Sequence, residues 1–158
     1  MNTRPLAKQD FARLASFLDD SFNQYPVSTC YTADLLDFFG SWMWNPAAIS
    51  VALEAENEIC GVAFSADRAA TFEQQNLHLV HMGPIAVRAD QRRQGQGARL
   101  LDTIEESARS RGADLLTLTT AASQGPHRLY LRSGFRIVEA YRPLERHFTL
   151  NPPTPPHE

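Results

Sequence analysis

One passage near the middle of the chain limits what it can fold into. In Gly83-Pro-Ile-Ala-Val-Arg-Ala-Asp-Gln-Arg-Arg-Gln-Gly-Gln-Gly97 a strand pattern runs through a glycine-proline pair, enters a glycine-containing loop and opens a helix pattern. Proline inside a strand removes a ladder hydrogen bond, and the neighbouring glycine marks a bulge or a close backbone approach. A bulge here would pry the strand from a parallel neighbour and expose backbone groups of Ile85 and Val87 to an extended, amide-containing ligand; a plain edge-strand proline is the simpler alternative. The loop then brings Arg92, Arg93, Gly95 and Gly97 to a helix start, where the first N–H groups have no intrahelical partner and the helix dipole is positive. Glycine lets a ligand approach that backbone, and the whole makes a seat for a pyrophosphate. The loop is not a Walker A loop, because no Gly-Lys-Ser/Thr closes it, and it is an incomplete dinucleotide fingerprint, because Leu100 stands where a third glycine belongs.

The flanking patterns place this passage in an α/β fold. Phe11, Leu14, Ala15, Leu18 and Phe22 recur at helical spacing after a short extended piece near Thr3–Pro5. Thr32 is placed to cap a second helix whose buried side is Leu35, Leu36, Phe39 and Met43, with Asp34 and Asp37 near its positive end. Asn45-Pro46 ends it. A strand over 49–55 turns at Glu56-Asn57-Glu58, where asparagine tolerates positive φ, and returns over 59–65. A polar connection from Asp67 to Asn76 leads to the strand Leu77–Val87. Gly97, Leu100, Leu101, Ile104 and Ala108 then share one face of a long helix that Gly112 stops. The strand Asp114–Thr120 carries Leu115-Leu-Thr-Leu-Thr, a run expected to lie buried in the sheet. A short helix over 126–132 ends at Gly134, and strands over 135–141 and 144–150 follow. The predicted order is βααβββαβαββ: a mixed central sheet of about six to seven strands with helices on both faces, its Leu77–Thr120 unit parallel and right-handed. One domain is expected over 1–150, with a proline-rich, disordered tail over 151–158.

The 158 residues suit one core, and 43% hydrophobic with 21% charged residues is ordinary for a soluble protein. No run approaches the roughly 20 apolar residues that span a bilayer, and the first residues lack the apolar region of a secretory leader. Cys30 and Cys60 cannot build a disulfide framework, so a cytoplasmic location with reduced thiols is expected. The formal net charge of -3 weighs against nucleic acid and fits a cationic or neutral substrate.

Taken together, these residues resemble the GCN5-related N-acetyltransferase (GNAT) superfamily. Arg92-Arg-Gln-Gly95-Gln-Gly97 is similar to its pyrophosphate motif, Arg/Gln-x-x-Gly-x-Gly/Ala, and Pro84-Ile-Ala-Val87 to the strand that leads into it. Tyr130-x-x-x-Gly134-Phe135 is similar to its late tyrosine-glycine-phenylalanine motif. The resemblance extends from about Thr3 to Leu150. It implies acetyl-CoA as co-substrate, no metal, and direct transfer of the acetyl group to a primary amine of a small molecule or peptide. It assigns the cofactor to the backbone of Ile85, Ala86 and Val87, to Arg92, and to the loop and helix start Arg93, Gln94, Gly95, Gln96, Gly97 and Ala98. It makes Tyr130 the acid that protonates the departing thiolate. Ser123 falls where many members carry an asparagine, seven residues before the tyrosine, and Pro126 replaces a frequent alanine. Members often form homodimers.

An acceptor amine with a pKa near that of lysine must lose a proton before it attacks. His81 is the candidate base. It lies on the strand ahead of the bulge, at the position where histone-acetylating members carry a glutamate and arylalkylamine-acetylating members a histidine. A hydrogen-bonded structural histidine is the alternative. His78, three residues earlier, points to the other face, and Glu73 is a weaker candidate. Tyr25, Tyr31, Phe38, Trp42 and Trp44 either line an acceptor entrance or fill core. Rival readings from other classes are a non-catalytic acetyl-CoA sensor and a nucleotide-binding α/β protein.

Overall fold

A computed structural model describes residues 1–22, 32, 34–37, 49–72, 75–120 and 125–137 of the chain. It divides into two compact units, Met1–Thr119 and Thr120–Glu158.

The first unit is a five-stranded sheet with neighbours in chain order: β1 (Asn2–Pro5), β2 (Val51–Ala55), β3 (Glu58–Phe72), β4 (Gln75–Val87) and β5 (Leu115–Leu118). The first three pairings are antiparallel; β4 and β5 are parallel, as the strand-helix-strand pattern predicted. A 3₁₀ turn at Lys8–Asp10 leads into α1 (Phe11–Phe22). Residues 34–37 form a helical turn, α2, whose start is capped as the sequence predicted: the Leu35 N–H donates to Thr32 Oγ1 at 3.1 Å. The long helix α3 spans Gln96–Ser110.

One sheet face is covered by α1. Leu14 and Leu18 of the helix, Leu36 of α2, and Ala52, Val62, Phe64, Ala66 and Ala86 of the strands form one buried cluster. Each large side chain there contributes about 1.5–3 kcal/mol by leaving water. The alternate residues face α3. Gly61 is a point of close approach: a Cβ there would lie 3.2 Å from Leu100 Cδ1 and 3.3 Å from the Ala86 carbonyl, tight contacts that the missing side chain avoids. Asp10 is buried beneath α1 and takes both arms of Arg4, at 2.7 and 2.9 Å, while Arg4 also reaches Glu54, which ties the edge strand to the helix start.

The hairpin between β2 and β3 turns on Glu56 and Asn57, with φ of 52° and 65°, the positive values that a tight two-residue turn requires. The next hairpin differs from the prediction. Asp67 to Asn76 was expected to be a polar connection, yet β3 and β4 stay paired out to Phe72↔Gln75. Polar composition hid this because antiparallel pairing needs only backbone groups, and the Asp67 side chain is held by His78 and Arg111 at 2.9 and 3.1 Å. β5 is shorter than predicted, and Leu115 is 48% exposed instead of buried. Among the described residues β5 is the edge of the sheet, which leaves its leucines without a neighbour on that side.

In the second unit, α4 (Gly125–Arg132) ends at Gly134, φ 90°, as a glycine stop should. Residues 135–137 are not in a strand, where the first of the two last strands was expected to begin; the rest of those strands, and the tail, lie outside the described residues.

Candidate active site

The site begins with a break in the ladder. β4 and β5 pair from Leu79↔Leu115 to Met82↔Leu118 and then part. On its other side β4 continues beside β3, but between Ala63↔Ile85 and Ser65↔Met82 it spends one residue more than β3 does, so Gly83 and Pro84 together face Phe64. This is the bulge expected from the Gly-Pro pair, and the parallel pairing stops at it.

Beyond the bulge one side of the β4 backbone has no strand beside it among the described residues. The Arg88 N–H donates to the Cys60 carbonyl of β3 at 2.8 Å. Polar groups alternate direction along a strand, so those of Ala86 also face β3, and those of Ile85 and Val87 face away, where β5 has ended. Ala86 is therefore a different kind of residue from its two neighbours. It was predicted to bind cofactor alongside them, but its backbone belongs to the β3 ladder and its methyl to the core under α1.

The loop after β4 folds back on the strand end. The Nε of Arg92 donates to the Val87 carbonyl at 2.8 Å, which fixes the root of the guanidinium beside the open edge. Arg93 (φ 61°) and Gly95 (φ 82°) both take left-handed conformations. That costs a residue with a Cβ roughly 1–2 kcal/mol and glycine nothing. A Cβ on Gly95 would meet nothing within 4 Å, so its surroundings are open. The helix hydrogen bonds begin with the Arg99 N–H on the Gly95 carbonyl at 3.0 Å. The amides of Gly95, Gln96, Gly97 and Ala98 are the four that a helix start leaves over, and those of Arg93 and Gln94 precede them in the loop. Gln94 holds its side-chain amide against the Asp90 carbonyl at 3.1 Å, and Arg88 is engaged by Asp90 and Glu58 at the surface. An open strand edge that runs into exposed amides, with Arg92 and Arg93 beside them, fits an extended diphosphate ligand that also carries amide groups.

His81 sits one residue before the parting, opposite Thr117 in the parallel register, with its Nδ1 3.0 Å from Thr117 Oγ1. Burial, and secondarily the charge of Arg68, hold its pKa below the ordinary 6.5. His78 lies on the opposite face as alternation requires, bonded to Asp67 beside the end of α3. Cys60 is buried, its thiol donating to the Leu53 carbonyl at 3.3 Å, and burial raises its pKa, so it is no nucleophile. In the second unit Tyr130 is buried and packs edge-on against Phe135, ring centroids 6.0 Å apart. Ser123, Glu73, Cys30, Tyr25, Tyr31, Phe38, Trp42 and Trp44 lie outside the described residues. Asp37 pairs with Lys8 at 2.7 Å. Thr117 escaped the sequence reading. Its place in a Leu-Thr-Leu-Thr alternation was visible, but which β4 residue it faces was not.

A mixed sheet whose parallel strands part beside an amide-rich helix start defines a class of acyl-CoA-binding transferases. Residues 13–135 match the sequence profile of the acetyltransferase (GNAT) family, and the chain belongs to that family of acetyl-CoA-dependent N-acetyltransferases. It is 28% identical over 149 residues to the aminoglycoside N(6')-acetyltransferase type 1 of Klebsiella aerogenes, which covers 90% of this chain and 96% of that protein. Its fold is similar to that of a transcriptional regulator from Bacillus halodurans C-125, with TM-score 0.74, 18% identity, and 89% and 95% of the two chains covered. A GNAT family acetyltransferase from Brucella melitensis, solved in complex with acetyl-CoA, shares the fold with TM-score 0.66 at 18% identity, covering 86% of this chain and 82% of that one.

Proposed function

We propose that this enzyme acetylates a primary amine of a small molecule or peptide, with His81 as the base and Tyr130 as the acid. Acetyl-CoA supplies the acetyl group as a thioester. Ile85 and the N–H of Val87 offer backbone groups on the open edge of β4, the Val87 carbonyl being held by Arg92, and the amides from Arg93 to Ala98, reinforced by Arg92, bind the diphosphate. Ser123 is retained as a cofactor contact on its position in the sequence. The observation that carries this reading is the coincidence of three things at one place: the end of the parallel ladder at Met82, the bulge at Gly83-Pro84, and a histidine one residue upstream.

His81 suits proton removal because its neutral form predominates at pH 7. A base must be unprotonated to act, and a pKa held below 6.5 keeps the ring ready. The rate should therefore persist to more acid pH than an ordinary histidine allows, and fall only as pH drops through the lowered value. Tyr130 is given the acid role on its motif. The small-molecule relative, by its name, modifies an amine at position 6' of an aminoglycoside, which supports a primary amine as acceptor here.

The test is release of CoA thiol from acetyl-CoA over a panel of amines that includes aminoglycosides, polyamines, amino acids and peptides with free N-termini. Acceptor-dependent release is expected, reduced about 100-fold in His81→Gln and lost from its acid limb, in line with the usual 10²–10⁴ contribution of a general base. Binding of acetyl-CoA with no release for any amine would overturn the transferase reading. An unchanged pH profile in His81→Gln would remove His81 from the mechanism.

A further inference from the structure

The hydroxyl of Thr117 is the one polar side chain of β5 and it meets His81 at Nδ1, 3.0 Å away. The contact follows from the parallel register that sets His81 opposite Thr117, which puts both side chains on one face of the sheet. A hydroxyl can donate or accept, and a neutral imidazole has one N–H and one lone pair. If Thr117 donated, the ring's only lone pair would be spent at Nδ1 and Nε2 would carry the hydrogen. Such a ring could not take a proton until the hydroxyl turned away. If Nδ1–H donates to Thr117 Oγ1, the lone pair stays at Nε2 and the same hydrogen bond survives protonation unchanged.

We propose that Thr117 is a positioning residue for acetyl transfer: by accepting a hydrogen bond from Nδ1 of His81 it fixes the tautomer whose Nε2 receives the proton of the acceptor amine. This rests on His81 being the base. In the step, an N–H bond of the acceptor breaks, its electron pair stays on the amine nitrogen, and a new N–H bond forms at Nε2. The imidazolium so made keeps its Nδ1–H on the threonine oxygen. Both burial and Arg68 oppose that cation. The Thr117 oxygen is placed to offset them, because hydrogen bonding to the charged form favours it. The charged groups on the packed elements divide by face. β5 carries none. On β3, Arg68 shares the face of His81, Asp67 lies on the other face bonded to His78, and Glu58 is engaged by Arg88 at the far end. α3, with Arg99, Asp102, Glu105, Glu106 and Arg109, packs on the other face, and α1 brings Arg13, Asp19 and Asp20; of all these, Arg68 is the one whose charge bears on the ring among the described residues.

Two measurements test this. Long-range ¹H–¹⁵N NMR of the His81 ring reads the tautomer without any acceptor. The wild-type protein and Thr117→Ser are expected to show the Nδ1–H form, and Thr117→Val to lose it, with a titration midpoint lower by about half a unit to one unit. A wild-type ring carrying its hydrogen on Nε2 would overturn the proposal. The second measurement is the pH dependence of kcat/KM for an amine found in the acceptor panel. Thr117→Val should lose about 10-fold with KM for acetyl-CoA unchanged and its acid limb displaced to lower pH, and Thr117→Ser should restore both. If His81→Gln abolishes the acid limb while Thr117→Val matches wild type in rate and profile, the base assignment stands and the role of Thr117 falls. If His81→Gln keeps the wild-type profile, the base assignment itself fails and takes this role with it.

Discussion

The two halves of β4 are built to different specifications. From Leu79 to Met82 the strand is gripped on both sides, by β3 and by β5, and Val80 and Met82 are buried. From Gly83 to Val87 it keeps only β3 among the described residues, and the polar groups of Ile85 and Val87 face away from that partner. The first half obeys the rule that buried backbone groups find partners within the chain. In the second half, among the described residues, the Val87 carbonyl is met by the Arg92 side chain and the remaining outward groups of Ile85 and Val87 have no strand beside them, next to the amides at the start of α3. Such groups are costly when buried unless a ligand or water completes them. On the proposed reading one strand serves both the core and the cofactor: the core half holds the position, and the open half offers hydrogen-bonding groups.

The sharpest way to separate the two is to damage one and read the other. Leu14→Ala empties a fully buried position in the layer between α1 and the sheet, the layer that also takes the Ala86 methyl. It should cost about 2–5 kcal/mol and lower Tm by on the order of 10 °C, while acetyl-CoA affinity, measured by calorimetry where the variant is folded, stays at the wild-type value. A parallel fall in affinity would mean that core and cofactor edge are not separable. Gly95→Val addresses the other half. Its φ of 82° is strained for a β-branched residue, so the loop should relax and weaken acetyl-CoA about 10-fold, while Tm falls by only a few degrees. The smallest effect is expected for Arg92→Gln. Arg92 is exposed and anchored on Val87, so losing its charge should weaken binding roughly 3- to 5-fold at low ionic strength, and less as salt is added. A salt-independent loss would point to the Val87 anchor in place of the charge.

The parts of this design that depend on local chemistry could be read from the sequence. The turn at Glu56-Asn57 needs positive φ, the Gly83-Pro84 pair cannot sit in an ordinary ladder, and Gly95 opens a helix without a side-chain cap; each is a property of a few adjacent residues. Period-two alternation also separated His78 from His81. What escaped depends on register or on neighbours distant in sequence. The extension of β3 and β4 past Asp67 looks polar because its groups answer one another across strands and to Arg111 at the end of α3. The apolar run in β5 signalled burial, but the exposure of Leu115 depends on what lies beside the strand. The meeting of Thr117 with His81 is set by a parallel pairing, whose offset no hairpin turn fixes, so both residues were visible and their contact was not.

The single additional residue at Gly83-Pro84 also resets the phase of the pleat. His81 faces Ala66 and Ala86 faces Val62, on the same side of the sheet, although they stand five apart, an odd interval that would put them on opposite sides of an unbroken strand. Excising one residue there would invert everything downstream. The methyl of Ala86 would leave the hydrophobic layer, the isopropyl of Val87 would be driven into it, and the peptide groups now turned outward would swing back against β3. The bulge is thus a frame-setting device, and a change of length at this spot would be felt along the whole of the segment that leads to α3.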